Sequence, residues 1–432
     1  MNSVIKYYLR FAVGVMLFLF LLGTMPAQAT IQGLTGTTFD ITASAGSIIT
    51  TDGNSIFMWG YGVGGNMQMP GPTLILTEGQ SVTINLANAL PVPVSMVFPG
   101  QTGVVATGGQ PGLLTRDAPP GGTVTYTFTA SNPGTYTYYS GTRPELQVDM
   151  GLVGAIIIQP LGAIPAGFIG RAYGHDETAF NREYLFLLQE IEPRVHDLAK
   201  QLLFDEIDFT IPRPTHQGIV NWLITGRDGP DTLAADFSPS FPSQPYGSLA
   251  RMHPGEVTLM RIIGGGRQPH PFHAHGNQHN QIAHDGRLME SAPGQGPDMQ
   301  ESVFTSNVNP GMTIDARFIW TGAGLGWDVY GHEPGDALQP NEDPTYHGIP
   351  APVTLPDFKT LTDGIFWNGS LYLGTSNPLP PGEGGYNPTA AYFYMWHSHS
   401  EKELTSNNIF PGGMLTFGVV EPWNVIIEPG NP

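Results

Sequence analysis

Gly79-Gln80-Ser81-Val82-Thr83-Ile84 is a glycine turn running into alternating polar and branched residues, and it recurs weakly as Gly255-Glu256-Val257-Thr258-Leu259. Each copy reads as a turn that opens a β-strand. Further along, Tyr138-Tyr139-Ser140-Gly141 parallels Trp396-His397-Ser398-His399, and the stretch from Gly151 to Pro160 parallels that from Gly413 to Pro422. A chain that repeats its strand pattern in this way is expected to hold two β domains of one type. Runs such as Thr123-Val124-Thr125-Tyr126-Thr127-Phe128 and Gly154-Ala155-Ile156-Ile157-Ile158 are further strands, and 56 Gly and 40 Pro against 12% charged residues favour turns over helices. The fold class is therefore all-β, two Greek-key sandwich or barrel domains. Helix is expected only locally, around Pro193 to Phe204.

The domains are placed at 31–160 and 182–422, joined by a Gly/Ala/Pro-containing linker at 161–181. The second is oversized by an insertion at about 321–391, rich in Gly, Pro, Asp and Asn. Loops of that length are usually functional or mobile, and this one would line any site near the second-domain histidines.

Lys6 and Arg10 precede an apolar run from Phe11 to Leu22 and then Ala27-Gln28-Ala29, the layout of a cleavable secretory signal over residues 1–29. The mature chain would begin near Thr30 and be exported, to periplasm, cell surface or medium. No later stretch is apolar enough to span a bilayer. There is no cysteine, so the exported chain must rest on its cores rather than on disulfides. A formal charge of −19 argues against nucleic acid as a partner and favours solubility.

Two His-X-His pairs carry the chemistry: His273-Ala274-His275 within His270-Pro271-Phe272-His273-Ala274-His275-Gly276, and His397-Ser398-His399. On an extended strand, residues two apart share a face, so each pair can aim two imidazoles at one metal or at two adjacent ones. Imidazole suits copper, zinc, iron or nickel. No histidine precedes His175.

These motifs resemble the multicopper oxidases, whose cupredoxin domains carry copper on four His-X-His motifs. His270 to Gly276 resembles that family's signature in its last domain; Trp396-His397-Ser398-His399 with Pro411-Gly412-Gly413-Met414 resembles its closing motif; Pro70-Gly71-Pro72-Thr73 with Gly134-Thr135-Tyr136 resembles its first-domain framework. The resemblance implies a blue copper that passes electrons through a His-flanked cysteine to a trinuclear cluster reducing dioxygen. This chain breaks that pattern. Ser398 stands at the cysteine position and Glu403 where a second blue-copper histidine belongs, leaving His270 and Met414. A blue site needs a thiolate. In the first domain Val97-Phe98-Pro99-Gly100 and Tyr139-Ser140-Gly141 replace both histidine motifs, so neither this chain nor a swapped oligomer can complete a trinuclear cluster.

What survives by the resemblance is a half-cluster of His273, His275, His397 and His399, able to hold one or two non-blue copper ions, with zinc or manganese as the alternative. Buried imidazoles left without partners cost roughly 1 to 3 kcal/mol each, so four together need metal, water or a proton network. Any oxidoreductase activity would draw electrons directly from an outer reductant. The rival expectations are a metal-independent cupredoxin module kept for partner contacts and a mononuclear zinc or manganese site. His270 with Glu403 or Glu401 is a weaker ligand set, read first as a salt-bridged carboxylate. His279 and His284 could flank a substrate mouth, though exposed strand histidines are commoner. Met67, Met69 and Met96 read as packing, and Tyr136, Tyr138 and Tyr139 as cross-strand aromatics. Asn368-Gly369-Ser370 is a glycosylation sequon. Two-domain relatives of this fold assemble as trimers, which makes a homo-oligomer an expectation of the resemblance.

Overall fold

A computed structural model describes residues 30–207, 218–324, 326–330, 332, 335–350, 391–423 and 425–427. The expected signal, the sequon at Asn368 and most of the insertion lie outside the described residues. Strands dominate what is described, and no helix there is long and apolar enough to cross a membrane. One helix, Pro193–Lys200, forms where local helix was expected, opening on a proline whose missing N–H costs nothing there.

The repeat is real in three dimensions. Gly79 and Gly255 turn the chain with φ of 77° and 78°, a conformation L side chains avoid. The strands they open, Ser81–Asn88 and Val257–Gly264, occupy equivalent places. Each has a parallel neighbour on one side, Thr38–Ile49 and Arg182–Ile191, and an antiparallel neighbour on the other, Thr123–Thr129 and Thr313–Ile319. The facing sheets repeat too. Gly134–Tyr139 pairs antiparallel with Val153–Gln159, which runs parallel to Gly71–Thr77. Likewise Tyr392–Ser398 pairs antiparallel with Leu415–Val420, which runs parallel to Ala250–Met252. Both halves are cupredoxin-like sandwiches.

Each sandwich closes on its own core, the first around Trp59, Tyr61, Tyr126 and Tyr138, the second around Phe186, Trp222, Phe272 and Trp396. A third cluster joins them. Arg182–Ile191 is buried along its whole length because its alternate residues serve two cores: Tyr184, Phe186 and Leu188 face the second, while Leu185, Leu187 and Ile191 pack with Met58, Met67 and Met69 of the first half. Met67 and Met69 are thus interface packing, and Met96 is core.

A polar knot crosses the same boundary. Buried Arg261 reaches Glu183 at 2.9 Å, Thr135 of the first half at 2.9 Å and Asp315 at 3.6 Å. Asp315 in turn accepts from the hydroxyls of Thr135 at 2.5 Å and Tyr173 at 2.7 Å. The described start of the insertion is anchored, with Trp327 and Val329 buried in the second core.

Candidate metal centre

The strand His270–Ala274 runs between Thr305–Val308 and Tyr392–Ser398, antiparallel to both. In that register His273 lies directly opposite His397, so their side chains emerge on one face. His275 follows one residue past its strand, just before Gly276, whose φ of 97° turns the chain. A Cβ there would strike the Tyr394 ring at 2.8 Å, so only glycine lets the chain bring His275 back over the strand ends.

Three of the four expected imidazoles meet. His273, His275 and His397 bring ligand nitrogens within 4.8 Å of one another. His275 Nε2 and His397 Nε2 face each other at 3.2 Å. His397 Nδ1 is 2.7 Å from the Ser398 carbonyl, which can only accept, so Nδ1 carries the proton and Nε2 the lone pair. His273 Nδ1 pairs with the Thr305 hydroxyl at 2.8 Å. Burial, reinforced by the neighbouring imidazoles, lowers His273 and His275 to about 4; burial also lowers His397. All three are neutral at pH 7, which leaves each a donor lone pair.

His399 stands at the exposed rim of the group. The strand ends at Ser398, yet the His399 N–H still donates to the Pro271 carbonyl at 2.8 Å and its ring lies 5.6 Å from that of His397. Its side chain is 53% exposed, with Nδ1 3.6 Å from Glu401. Its ring lies 4.8 Å from that of His273, but its nitrogens fall outside the converging group.

A metal fits the converging nitrogens. Two imidazole nitrogens bound to one ion at about 2.0–2.1 Å, at an angle near tetrahedral, lie roughly 3.2–3.4 Å apart, which matches the observed pair.

His270 is differently placed. Its ring is buried with Nδ1 2.8 Å from Glu403 and Nε2 3.0 Å from Glu190, while the Ser398 hydroxyl donates to Glu403 at 2.7 Å. Burial alone would lower its pKa, but the carboxylates of Glu190 and Glu403, which accept its hydrogen bonds, raise it to about 9. Both nitrogens are then protonated, which removes the lone pair a metal needs. His270 and Glu403, expected first as a salt-bridged pair and second as weak ligands, meet with Glu190 in a buried Glu–His–Glu set at the place of a blue copper. Met414 is buried in the second core. Glu190 was not foreseen. Its signal is a carboxylate in Leu187-Leu188-Gln189-Glu190-Ile191, where a buried strand tolerates a charge only with a partner.

His279 does not flank a mouth. It is fully buried, with Nε2 2.7 Å from the Ser306 hydroxyl, and His284 pairs with Gln281 at 3.0 Å. In the first half, Val97 and Tyr139 exchange backbone hydrogen bonds at 2.8 and 3.2 Å, the counterpart of the pairing between His273 and His397.

Comparison with known proteins agrees with this architecture. Residues 52–162 match the family model described as multicopper oxidase. Over 105 residues, 24% of this chain and 17% of the relative, the chain is 39% identical to multicopper oxidase MCE of Talaromyces pinophilus. Over 193 residues, 44% of this chain and 28% of the relative, it is 28% identical to copper resistance protein A of Escherichia coli. The chain thus spans well under a third of the length of these curated relatives. The blue copper oxidase from Nitrosomonas europaea superposes with a TM-score of 0.56 at 17% identity, covering 89% of this chain and 86% of the other. By the matched segment and the curated relatives, the chain is similar to multicopper oxidases over part of its length, and the paired sandwiches display the cupredoxin fold of the solved structure.

Proposed function

We propose that this is an exported multicopper-oxidase-like protein that binds copper at His273, His275 and His397, with His399 at the rim of the site, and that the centre is not a blue one. The observation that carries this reading is the 3.2 Å approach of His275 Nε2 to His397 Nε2 beside His273. Two imidazole nitrogens at that distance share either a proton or a cation, and three neutral imidazoles suit copper.

A bound copper would supply one-electron chemistry. The chain's own residues bind it and set its access. Thr305 orients His273, the Ser398 carbonyl fixes the tautomer of His397, and Gly276 holds His275 in reach. With no cysteine in the chain, an outer reductant must deliver electrons to the centre directly.

The test is the metal content of the mature protein after copper loading and desalting, compared with His397→Ala. One or two coppers per chain, lost in the variant, is the expected result. Zinc or manganese retained in preference to copper would replace the metal assignment. No stoichiometric metal in either protein would sink the proposal and turn attention to surfaces and partners.

A further inference from the structure

The described part of the insertion carries a second cluster of ligand-type groups. Asp328, His332, Glu342 and His347 bring a carboxylate oxygen or ring nitrogen each within 4.8 Å of one another. His332 Nδ1 lies 2.8 Å from Asp328 Oδ2 and 3.5 Å from Glu342 Oε1. His347 Nδ1 lies 2.9 Å from the same Glu342 oxygen, and the two rings are 4.3 Å apart.

The groups behind these atoms are arranged as a ligand's supports are. Asp328 accepts from the backbone N–H of Tyr330 at 2.9 Å and of Gly348 at 2.7 Å, and the far oxygen of Glu342 accepts from the N–H of Gln339 at 2.7 Å. His347 Nε2 donates to the Asp336 carbonyl at 3.1 Å. That bond fixes the proton on Nε2 and leaves Nδ1 of the neutral ring as a lone pair aimed at a carboxylate oxygen. Two acceptors at 2.9 Å repel unless a second proton or a cation lies with them.

A separate observation concerns His332. Its side chain is only 7% exposed, and Nε2 is buried with no partner among the described residues. Burying an imidazole nitrogen without a partner is costly, and it is Nδ1 that turns to the two carboxylates. Among the described residues no Lys or Arg pairs with Asp328 or Glu342, so the two carboxylates lack a fixed positive charge. Two imidazoles and two carboxylates are a zinc-type donor set, in which a divalent ion cancels the two negative charges. Trp327 and Val329, packed in the second core, and Asn341, bonded to the Gly255 carbonyl, hold the segment in place.

We propose that Asp328, His332, Glu342 and His347 form a second metal site, independent of the histidine triad, that takes a zinc-type divalent cation and fastens the insertion to the second sandwich. The competing occupant is a pair of protons, giving imidazolium–carboxylate bonds without metal.

The experiment uses the full mature chain, stripped with chelator, carrying His273→Ala, His275→Ala and His397→Ala so that only the second cluster can bind. Zinc is titrated by calorimetry, and Co2+ serves as its absorbing stand-in. The expected result is one zinc per chain and a tetrahedral Co2+ spectrum, with affinity weakened at least about tenfold by Asp328→Asn or His347→Gln. No zinc bound by the folded triple variant, or binding unmoved by both substitutions, overturns the proposal. Should the triple variant fail to fold, His347→Gln is made in the otherwise native chain. Loss of one zinc equivalent there supports the site, and an unchanged zinc count overturns it. Failure of copper binding at the triad leaves these outcomes untouched.

Discussion

The Ser398 hydroxyl donates to Glu403 Oε2 at 2.7 Å, and that same oxygen stands 2.8 Å from His270 Nδ1. The three side chains that would surround a blue copper therefore satisfy one another. Restoring the thiol alone should not restore the copper: Ser398→Cys, loaded with Cu2+, is expected to show no intense thiolate-to-copper band in the visible. Such a band in the single variant would show that Glu403 and Glu190 yield His270 readily. The hydroxyl's bond to a charged acceptor is worth about 1.5–3 kcal/mol, so Ser398→Ala should lower stability by that order in denaturant unfolding.

The ion triad also sets a pH dependence. The folded pKa of His270, raised to about 9 by Glu190 and Glu403 against the opposing effect of burial, lies above the unfolded value near 6.5. The folded state binds the proton more tightly, so its stabilisation is complete below about pH 6.5 and is lost as pH rises through about 9. The whole effect is on the order of 3 kcal/mol. Urea unfolding of the native chain and of His270→Gln at pH 6 and pH 9 should show the native stability falling more steeply; parallel losses would refute the protonated triad.

The two motifs should respond unequally. His397 lies in the converging group and His399 does not. His397→Ala is expected to weaken copper binding by about 100-fold, roughly 2.7 kcal/mol, while His399→Ala changes it by less than about tenfold, roughly 1.4 kcal/mol. Competition against a copper chelator measures both. Equal losses would mean that the turn after Ser398 rearranges around the metal.

Much of this was legible in the sequence and some was not, for physical reasons. The glycine turns at Gly79 and Gly255 and the strands they open follow from local φ and alternation, which a sequence displays directly. His273 and His397 follow from the same alternation. His399 keeps the strand pairing through its bond to Pro271, but its side chain is exposed at the rim and its nitrogens do not join the converging three, which spacing alone does not tell. The partnership of Glu190 with His270 joins positions 80 residues apart through strand packing. The cluster in the insertion has no period to read, since the described residues around Asp328, His332, Glu342 and His347 form no regular strand.

Trp396 precedes the metal-facing His397 and is fully buried, with its ring 5.1 Å from Phe318 and 5.9 Å from Phe186. Trp396→Ala should cost about 3–5 kcal/mol. It should also weaken copper binding although it touches no metal ligand nitrogen, because the strand carrying His397 loses its seat. Stability lost with unchanged copper affinity would show that strand pairing alone positions His397.

Arg261 ties the halves together, and removing it leaves Glu183 and Asp315 buried with one partner fewer. Arg261→Met should destabilise by about 3–5 kcal/mol. A second substitution, Asp315→Asn, should return part of that loss by removing one stranded charge. Additive losses in the double variant would argue that the two side chains act independently.

The bridge between Val97 and Tyr139 repeats the backbone pairing of His273 with His397 while carrying an aliphatic and an aromatic side chain. The chain therefore contains its own control. Hydrogen bonds along these strands do not depend on what the side chains bind, so ligands can be lost, or grafted back, without redrawing the frame. A histidine introduced at Val97 would start from a scaffold whose other copy already shows the geometry it has to reach.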